Sequence, residues 1–193
     1  MKKKTIRPKK CRVCKELFTP FSSLAKACSV TCSLKLINNE KVKEFNKETR
    51  RLKNGIKSLN DWIADAQVFF NRYIRLRDGE LPCISCGRVK VEWTRGGEWD
   101  CGHYKSRGAF PELRFEELNA HKQCKSCNGG SAKFAKKGHT VGQDYEDNLI
   151  KKIGPENVEW LNGPHEPKKY TIEDLKELKK TYQDKIKAIE GKL

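Results

Sequence analysis

Three textures of apolar and polar positions run along this chain. Between 60 and 77, Trp62, Ile63, Ala66, Phe69, Phe70, Tyr73 and Ile74 recur at i, i+3/4, i+7 and i+8. That spacing predicts an amphipathic helix whose aromatic face packs on a core, stopped by Asp78-Gly79. From 83 the period changes. Val89, Val91 and Trp93 alternate with polar residues, Arg95-Gly96-Gly97-Glu98 reads as a turn, and Trp99 to Tyr104 reads as the returning strand. Residues 105–118 predict a polar loop broken by Arg107-Gly108 and Pro111. Leu118 to Gln123 predicts a second short strand, and Cys124 to about Lys136 a helix weakened by Gly129-Gly130. Strand, loop, strand, helix is the order of a ββα metal finger. The helical period then returns. Tyr145, Leu149 and Ile153 share a face ended by Gly154-Pro155, and Trp160-Leu161 makes a short apolar spot. Thr171-Ile172-Glu173-Asp174 resembles a capping box. The helix it opens carries Leu175, Leu178, Tyr182, Ile186 and Ile189 on a face for packing or dimerisation.

The segment before residue 60 has a weaker pattern. Leu36, Val42, Phe45 and Leu52 are scattered among Lys35, Lys41, Lys43, Lys47, Arg50, Arg51, Lys53 and Lys57. It reads as an exposed basic helix or tether, in contact with phosphate or simply solvated. The chain as a whole has 36% apolar and 34% charged residues and a net charge of +16, so its cores are small and its partner is an anionic polymer or surface. The charge is uneven. Residues 1–57 hold 17 Lys and Arg against 4 Asp and Glu, while the remainder holds 24 against 21. No apolar run reaches membrane-spanning length, and no apolar stretch follows the basic N-terminus as in a signal peptide. A cytoplasmic setting is expected, in which cysteines serve metals rather than disulfides.

The nine cysteines fall into two sets of four, with Cys101 left over as a packing residue. Cys11, Cys14, Cys28 and Cys32 predict a small zinc finger with Phe18, Phe21 and Leu24 as its minimal core. Cys83, Cys86, Cys124 and Cys127 predict a second, closed tetrahedral zinc site. A closed site has no open position for water, so this zinc is structural and clamps the ends of the 83–127 segment. Candidate chemistry lies between the clamps. His103 suits proton abstraction from water near neutral pH. Asp100 and Asn128 offer oxygens to a hard cation such as Mg²⁺ or Mn²⁺. Asp100 and His103 are three apart on a predicted strand, so regular pleating sets them on opposite faces. A bulge at Cys101-Gly102 is expected to bring them together.

Four segments carry a family resemblance: Leu81-Pro82-Cys83-Ile84-Ser85-Cys86-Gly87; Trp99-Asp100-Cys101-Gly102-His103-Tyr104; Leu113-Arg114-Phe115-Glu116; and Asn119-Ala120-His121-Lys122-Gln123-Cys124 with Cys127-Asn128. They resemble the NinG family, the phage-lambda Rap recombination proteins. The likeness extends over most of the chain and is loosest in the basic linker. It implies recombination, structure-specific cleavage of branched DNA such as Holliday junctions and D-loops, and a core similar to HNH (His-Me finger) nucleases. By that likeness His103 is the general base, Asn119 the residue that braces the loop and orients it, and Asn128 a ligand of the catalytic cation. Asp100 is the candidate second ligand, with His121 as the alternative. The chain departs from the usual HNH pattern here, because the place immediately before the base is Gly102. Lys105, Arg107 and Lys133 flank the site as phosphate contacts, and Arg50 and Arg51 lie in the basic arm.

The expected fold class is α+β, built of small zinc-stapled domains. Residues 1–36 form the basic arm and four-cysteine finger, 37–58 a basic helical linker, 59–139 an HNH-like core with its leading helix, and 140–193 a C-terminal helical region. The expected activity is metal-dependent DNA hydrolysis leaving 5′-phosphate and 3′-hydroxyl ends, by a dimer on the DNA. The rival is a non-catalytic DNA-binding recombination mediator in which both zinc sites are scaffolding.

Overall fold

The computed structural model describes residues 7–91 and 97–191. The chain divides into two compact units, Met1–Lys57 and Ser58–Leu193. In the first, β1 (Lys9–Lys10) pairs antiparallel with β2 (Leu17–Phe18), and Cys11 and Cys14 lie in the turn between them. Cys28 and Cys32 complete the set at the start of α1 (Val30–Gly55), where the Ser29 side chain caps the helix by accepting from the Cys32 N–H at 3.2 Å. Position 36 therefore falls inside one continuous helix. Of the expected core of this finger only Phe18 is half-buried. Phe21 and Leu24 are 92% and 83% exposed, while Cys11, Pro20 and Ala27 are the buried positions. So short a segment cannot enclose large side chains, and the thiols take the place a core would hold. Among the described residues α1 buries no side chain in 26 residues, in keeping with its weak apolar period.

The second unit is built around α2 (Leu59–Arg77). Ser58 and Asp61 form a reciprocal capping box at its start. Its buried stripe of Trp62, Ala66, Phe70 and Ile74 packs with Phe115, Ala120, Leu175 and Tyr182. The last two belong to α6 (Ile172–Glu190), capped by Thr171 and Asp174, so the C-terminal apolar face is spent on α2. A second cluster joins Ile84 and Leu113 to Tyr145 and Leu149 of α4 (Val141–Ile153) and to Val158 and Leu161 of α5 (Pro155–Asn162). No helix among the described residues is long and apolar enough to cross a membrane.

Between the two clusters lies a two-stranded antiparallel sheet of β3 (Trp99–His103) and β4 (Ala120–Cys124), followed directly by the single turn α3 (Lys125–Asn128). Asp100 pairs with Gln123, Gly102 with His121 and His103 with Ala120, so the ladder is unbroken. The expected bulge at Gly102 is absent. Gly102 is needed for a different reason: a Cβ there would meet Gln123 Oε1 at 2.2 Å and Gln123 Cβ at 2.9 Å. Gln123 lies across the glycine and donates to the Ser85 hydroxyl at 2.7 Å. Val89 and Val91 are irregular rather than strand; Trp93 and the first half of the expected turn lie outside the described residues. The helix expected to reach Lys136 stops at Asn128, because Gly130 takes a φ of +81°. A 3₁₀ turn at Ala132–Phe134 follows. The fold is mixed α+β with two four-cysteine clusters.

Candidate functional site

The zinc-type cluster of the second unit fixes the site's frame. Cys83 and Cys86 sit in a tight turn closed by Gly87 at φ +69°, and Cys124 and Cys127 flank the first residues of α3. The four Sγ atoms lie within 4.8 Å of one another, as do those of Cys11, Cys14, Cys28 and Cys32. Either set fits a tetrahedral zinc. At the second, the Arg88 guanidinium donates to Cys86 Sγ at 3.4 Å and Cys124 Sγ at 3.5 Å. Burial works to raise the Cys86 thiol, yet Arg88 pulls it down to about 7, towards the thiolate a metal takes. Such a clamp fixes α3 against the end of β4, and α3 carries Lys125 and Asn128.

His103 ends β3 on the face that packs against Phe70, with ring centroids 5.9 Å apart. Its Nε2 lies 3.1 Å from the Arg114 carbonyl. A carbonyl only accepts, so in the neutral ring Nε2 carries the proton and Nδ1 is the acceptor nitrogen, near the Cys101 backbone. Burial, with the Arg107 and Arg114 charges adding to it, pushes the imidazole down to about 4. It is thus neutral and able to accept a proton at neutral pH. The carbonyl that pins it comes from the loop between the strands, and Asn119 holds that loop. Fully buried, Asn119 accepts from the Lys105 N–H at 2.7 Å and donates to the carbonyls of Lys105 and Leu113, each at 3.0 Å.

His103 opens onto a cleft of about 560 Å³ lined by Cys101, Ser106, Arg107, Gly108, Arg114 and Asn128. Neither Arg107 nor Arg114 has a carboxylate partner among the described residues. Arg114 donates instead to the Arg107 carbonyl at 3.1 Å and reaches Gln67 of α2 at 3.5 Å. Burial and the neighbouring Arg107 hold the Arg114 guanidinium below its usual value. Two facing cations without a counter-charge are suited to a phosphodiester. Arg114 and Ser106 were not among the sequence candidates. Arg114 stood within a family-like segment, but nothing in its spacing marked it as facing His103.

The remaining candidates divide. Asp100 is on the other face of β3 and lines a separate recess of about 430 Å³ with Arg75 and Lys122. Asn128 connects the two sides: it lines the His103 cleft and donates to Asp100 Oδ2 at 3.1 Å. Lys125 Nζ takes the other oxygen, Oδ1, at 2.9 Å. Asp100 and Asn128 are hard oxygen donors of the kind Mg²⁺ and Mn²⁺ take. As placed, Asp100 accepts from two N–H donors, so an ion there would require the Asn128 carboxamide to turn its oxygen inwards and Lys125 to leave Oδ1. His121 is not solvent-facing, and both its ring nitrogens have partners within the fold. It is 2% exposed, donates from Nε2 to the Leu118 carbonyl at 3.0 Å, and accepts at Nδ1 from Arg77 and Lys152 beside Asp78. Burial, helped by those two cations, holds its imidazole below the usual value. This network ties the end of α2 to β4 and α4 and is structural.

Lys105 spreads over the Tyr104 and Phe110 rings, at 5.0 and 5.3 Å, and does not line the His103 cleft. Lys133 lines a different cleft, against the second four-cysteine cluster. Arg50 and Arg51 are exposed on α1, and Arg51 pairs with Glu48 at 2.7 Å. The third cluster of metal-ligand types, His139, Asp144 and Asp147, holds the Lys136 ammonium, 2.8 Å from Asp147.

Against known proteins, no solved structure matches the chain. Sequence comparison gives long matches. Protein ninG of Escherichia phage lambda is 35% identical over 194 residues, covering 91% of this chain and 89% of that protein. Protein ninG of Enterobacteria phage H19B is 36% identical over 199 residues, 94% and 93% of the two chains, and that of Escherichia phage 933W is 34% identical with the same coverage. The family pattern described as Bacteriophage Lambda NinG protein extends over residues 2–192, taking in both cysteine sets, β3, β4 and α3. With nearly every residue inside that match, the chain belongs to the NinG family.

Proposed function

We propose that the chain is a divalent-metal-dependent endonuclease of the HNH type, hydrolysing phosphodiester bonds in branched DNA such as Holliday junctions and D-loops during phage recombination. The observation that carries this reading is the His103 imidazole, neutral, pinned through Nε2–H to the Arg114 carbonyl and set on a cleft with two guanidinium groups. Arg107 and Arg114 hold the scissile phosphate. Nδ1 of His103 takes a proton from water as the water oxygen attacks phosphorus, and the 3′ oxygen departs, leaving 5′-phosphate and 3′-hydroxyl ends. A divalent cation held by Asp100 and Asn128 supplies charge to the leaving oxygen when bound. Asn119 keeps the base aligned by bracing the loop that carries Arg114. One such centre per chain cuts one strand, so a four-way junction engages two copies. The basic first unit adds phosphate contacts that position DNA without reading sequence.

A second reading, a non-catalytic DNA-binding recombination mediator, is favoured by one observation: both Asp100 oxygens are engaged within the chain. Incubating the zinc-loaded protein with Mg²⁺ or Mn²⁺ and a four-way junction separates the two. The endonuclease cleaves and His103→Ala binds without cutting. Binding without cleavage by wild type supports the mediator, and cleavage that survives His103→Ala removes His103 from the role of base.

A further inference from the structure

Both carboxylate oxygens of Asp100 are held by one helical turn, through Lys125 at Oδ1 and Asn128 at Oδ2. The Lys125–Asp100 pair is partly open, with side chains 28% and 29% exposed. Lys125 also lines a second cleft, of about 670 Å³, shared with Arg88, Lys90, Ser126, Lys133 and Phe134 against the zinc knuckle; Glu98 is its one acidic lining residue among those described. Arg88 is committed there, lying 3.3 Å from the Phe134 ring centroid and donating to two cysteine sulfurs. Lys90 and Lys133 have no carboxylate partner among the described residues. Lys125 is therefore flanked by a carboxylate on one side and an excess of positive charge on the other. A lysine stem swings its ammonium between such neighbours without moving the backbone.

We propose that Lys125 is an exchangeable ammonium, which holds Asp100 in the free protein and moves to a nucleic-acid phosphate in the zinc-knuckle cleft when DNA binds, freeing Asp100 for a divalent cation. This rests on the endonuclease reading for its cation site. An ammonium and a divalent cation repel at one carboxylate oxygen, so each excludes the other. A phosphate beside Lys90 and Lys133 gives the ammonium a new partner. DNA then tightens cation binding, and by linkage the cation tightens DNA binding by the same factor.

The test reads binding rather than cleavage. Free Mn²⁺ is followed by electron paramagnetic resonance with zinc-loaded full-length His103→Ala, with and without a four-way junction, after subtracting Mn²⁺ bound by the junction alone. The junction is expected to tighten Mn²⁺ binding by roughly three- to tenfold. Adding Lys125→Met gives the tighter binding without DNA and removes the response to DNA, whereas Lys125→Arg keeps the response. Lys125→Gln replaces Lys125→Met if the latter loses zinc. Equal Mn²⁺ affinity with and without Lys125, or a DNA response that survives Lys125→Met, overturns the exchange. If Asp100→Asn binds Mn²⁺ as tightly as its parent, the cation site itself fails, and the exchange with it.

Discussion

Replacing Asn119 by Ala tests the organisation of the site at its most buried point. The side chain is 0% exposed and makes three hydrogen bonds, to Lys105 N–H, Lys105 C=O and Leu113 C=O. Truncation leaves all three backbone groups without that partner. Each unsatisfied buried group costs about 1–3 kcal/mol, with the Lys105 groups, only partly buried, at the low end. The expected loss is about 3–5 kcal/mol, a large fraction of the stability of a domain this size. Asn119→Asp gives no rescue near neutral pH. It keeps the acceptor for Lys105 N–H but sets a carboxylate against two carbonyl oxygens. All four tryptophans, Trp62, Trp93, Trp99 and Trp160, lie beyond residue 57, so tryptophan emission in urea reports the second unit alone. Zinc-saturated wild type, Asn119→Ala and Asn119→Asp are compared by linear extrapolation. A loss under about 1 kcal/mol for Asn119→Ala would refute the reasoning, because the loop would then hold its shape without the bracing amide.

Zinc stoichiometry gives a further check: two ions per chain by elemental analysis, with Cys14→Ser losing one and leaving tryptophan emission unchanged, and Cys127→Ser losing one and shifting it. Gly102→Ala, whose Cβ would meet Gln123 Oε1 at 2.2 Å, is expected to cost about 1–3 kcal/mol. Gln123→Ala in the same chain should recover part of that loss in a double-mutant cycle. His103 binds its proton near pH 4 when folded and near 6.5 when unfolded, so the unfolded chain holds more protons between those values. Its contribution therefore favours folding above pH 6.5 and is lost as pH falls towards 4, by up to about 3 kcal/mol, read as the difference between wild type and His103→Gln across that window. If the chain cleaves DNA as proposed, the acid limb of its rate should likewise lie below pH 6.5.

Much of the second unit was legible because its helices bury one face. The stripe from Trp62 to Ile74 and the run from Leu175 to Ile186 stand at helical period and pack on each other. The cysteine spacings foretold both clusters, since ligand geometry is local. Other features depend on neighbours distant in sequence. Gly154-Pro155 reads as a stop, yet the proline also starts α5, because its missing N–H costs nothing at the first helical position. Gly102 suggested a bend, whereas its small size accommodates Gln123, a contact that requires the strand register to be known. His121 alternates like a surface residue but is enclosed by α2 and α4. Arg114 comes to His103 through an irregular loop whose course follows from Asn119 rather than from any period.

Cys124 and Cys127 bracket a turn that also bears Lys125 and Asn128. A metal held by that cluster would therefore also hold the two polar groups in place. On the proposed reading, a newly made chain still lacking zinc carries His103 without a properly placed Asn128, and so is safe for the DNA around it. On that same reading, zinc in the four-cysteine cluster would arm the protein, and oxidation of its thiols would disarm it. The timing of activity inside an infected cell would then follow the supply of zinc and the redox state of four sulfurs, not the rate of translation alone.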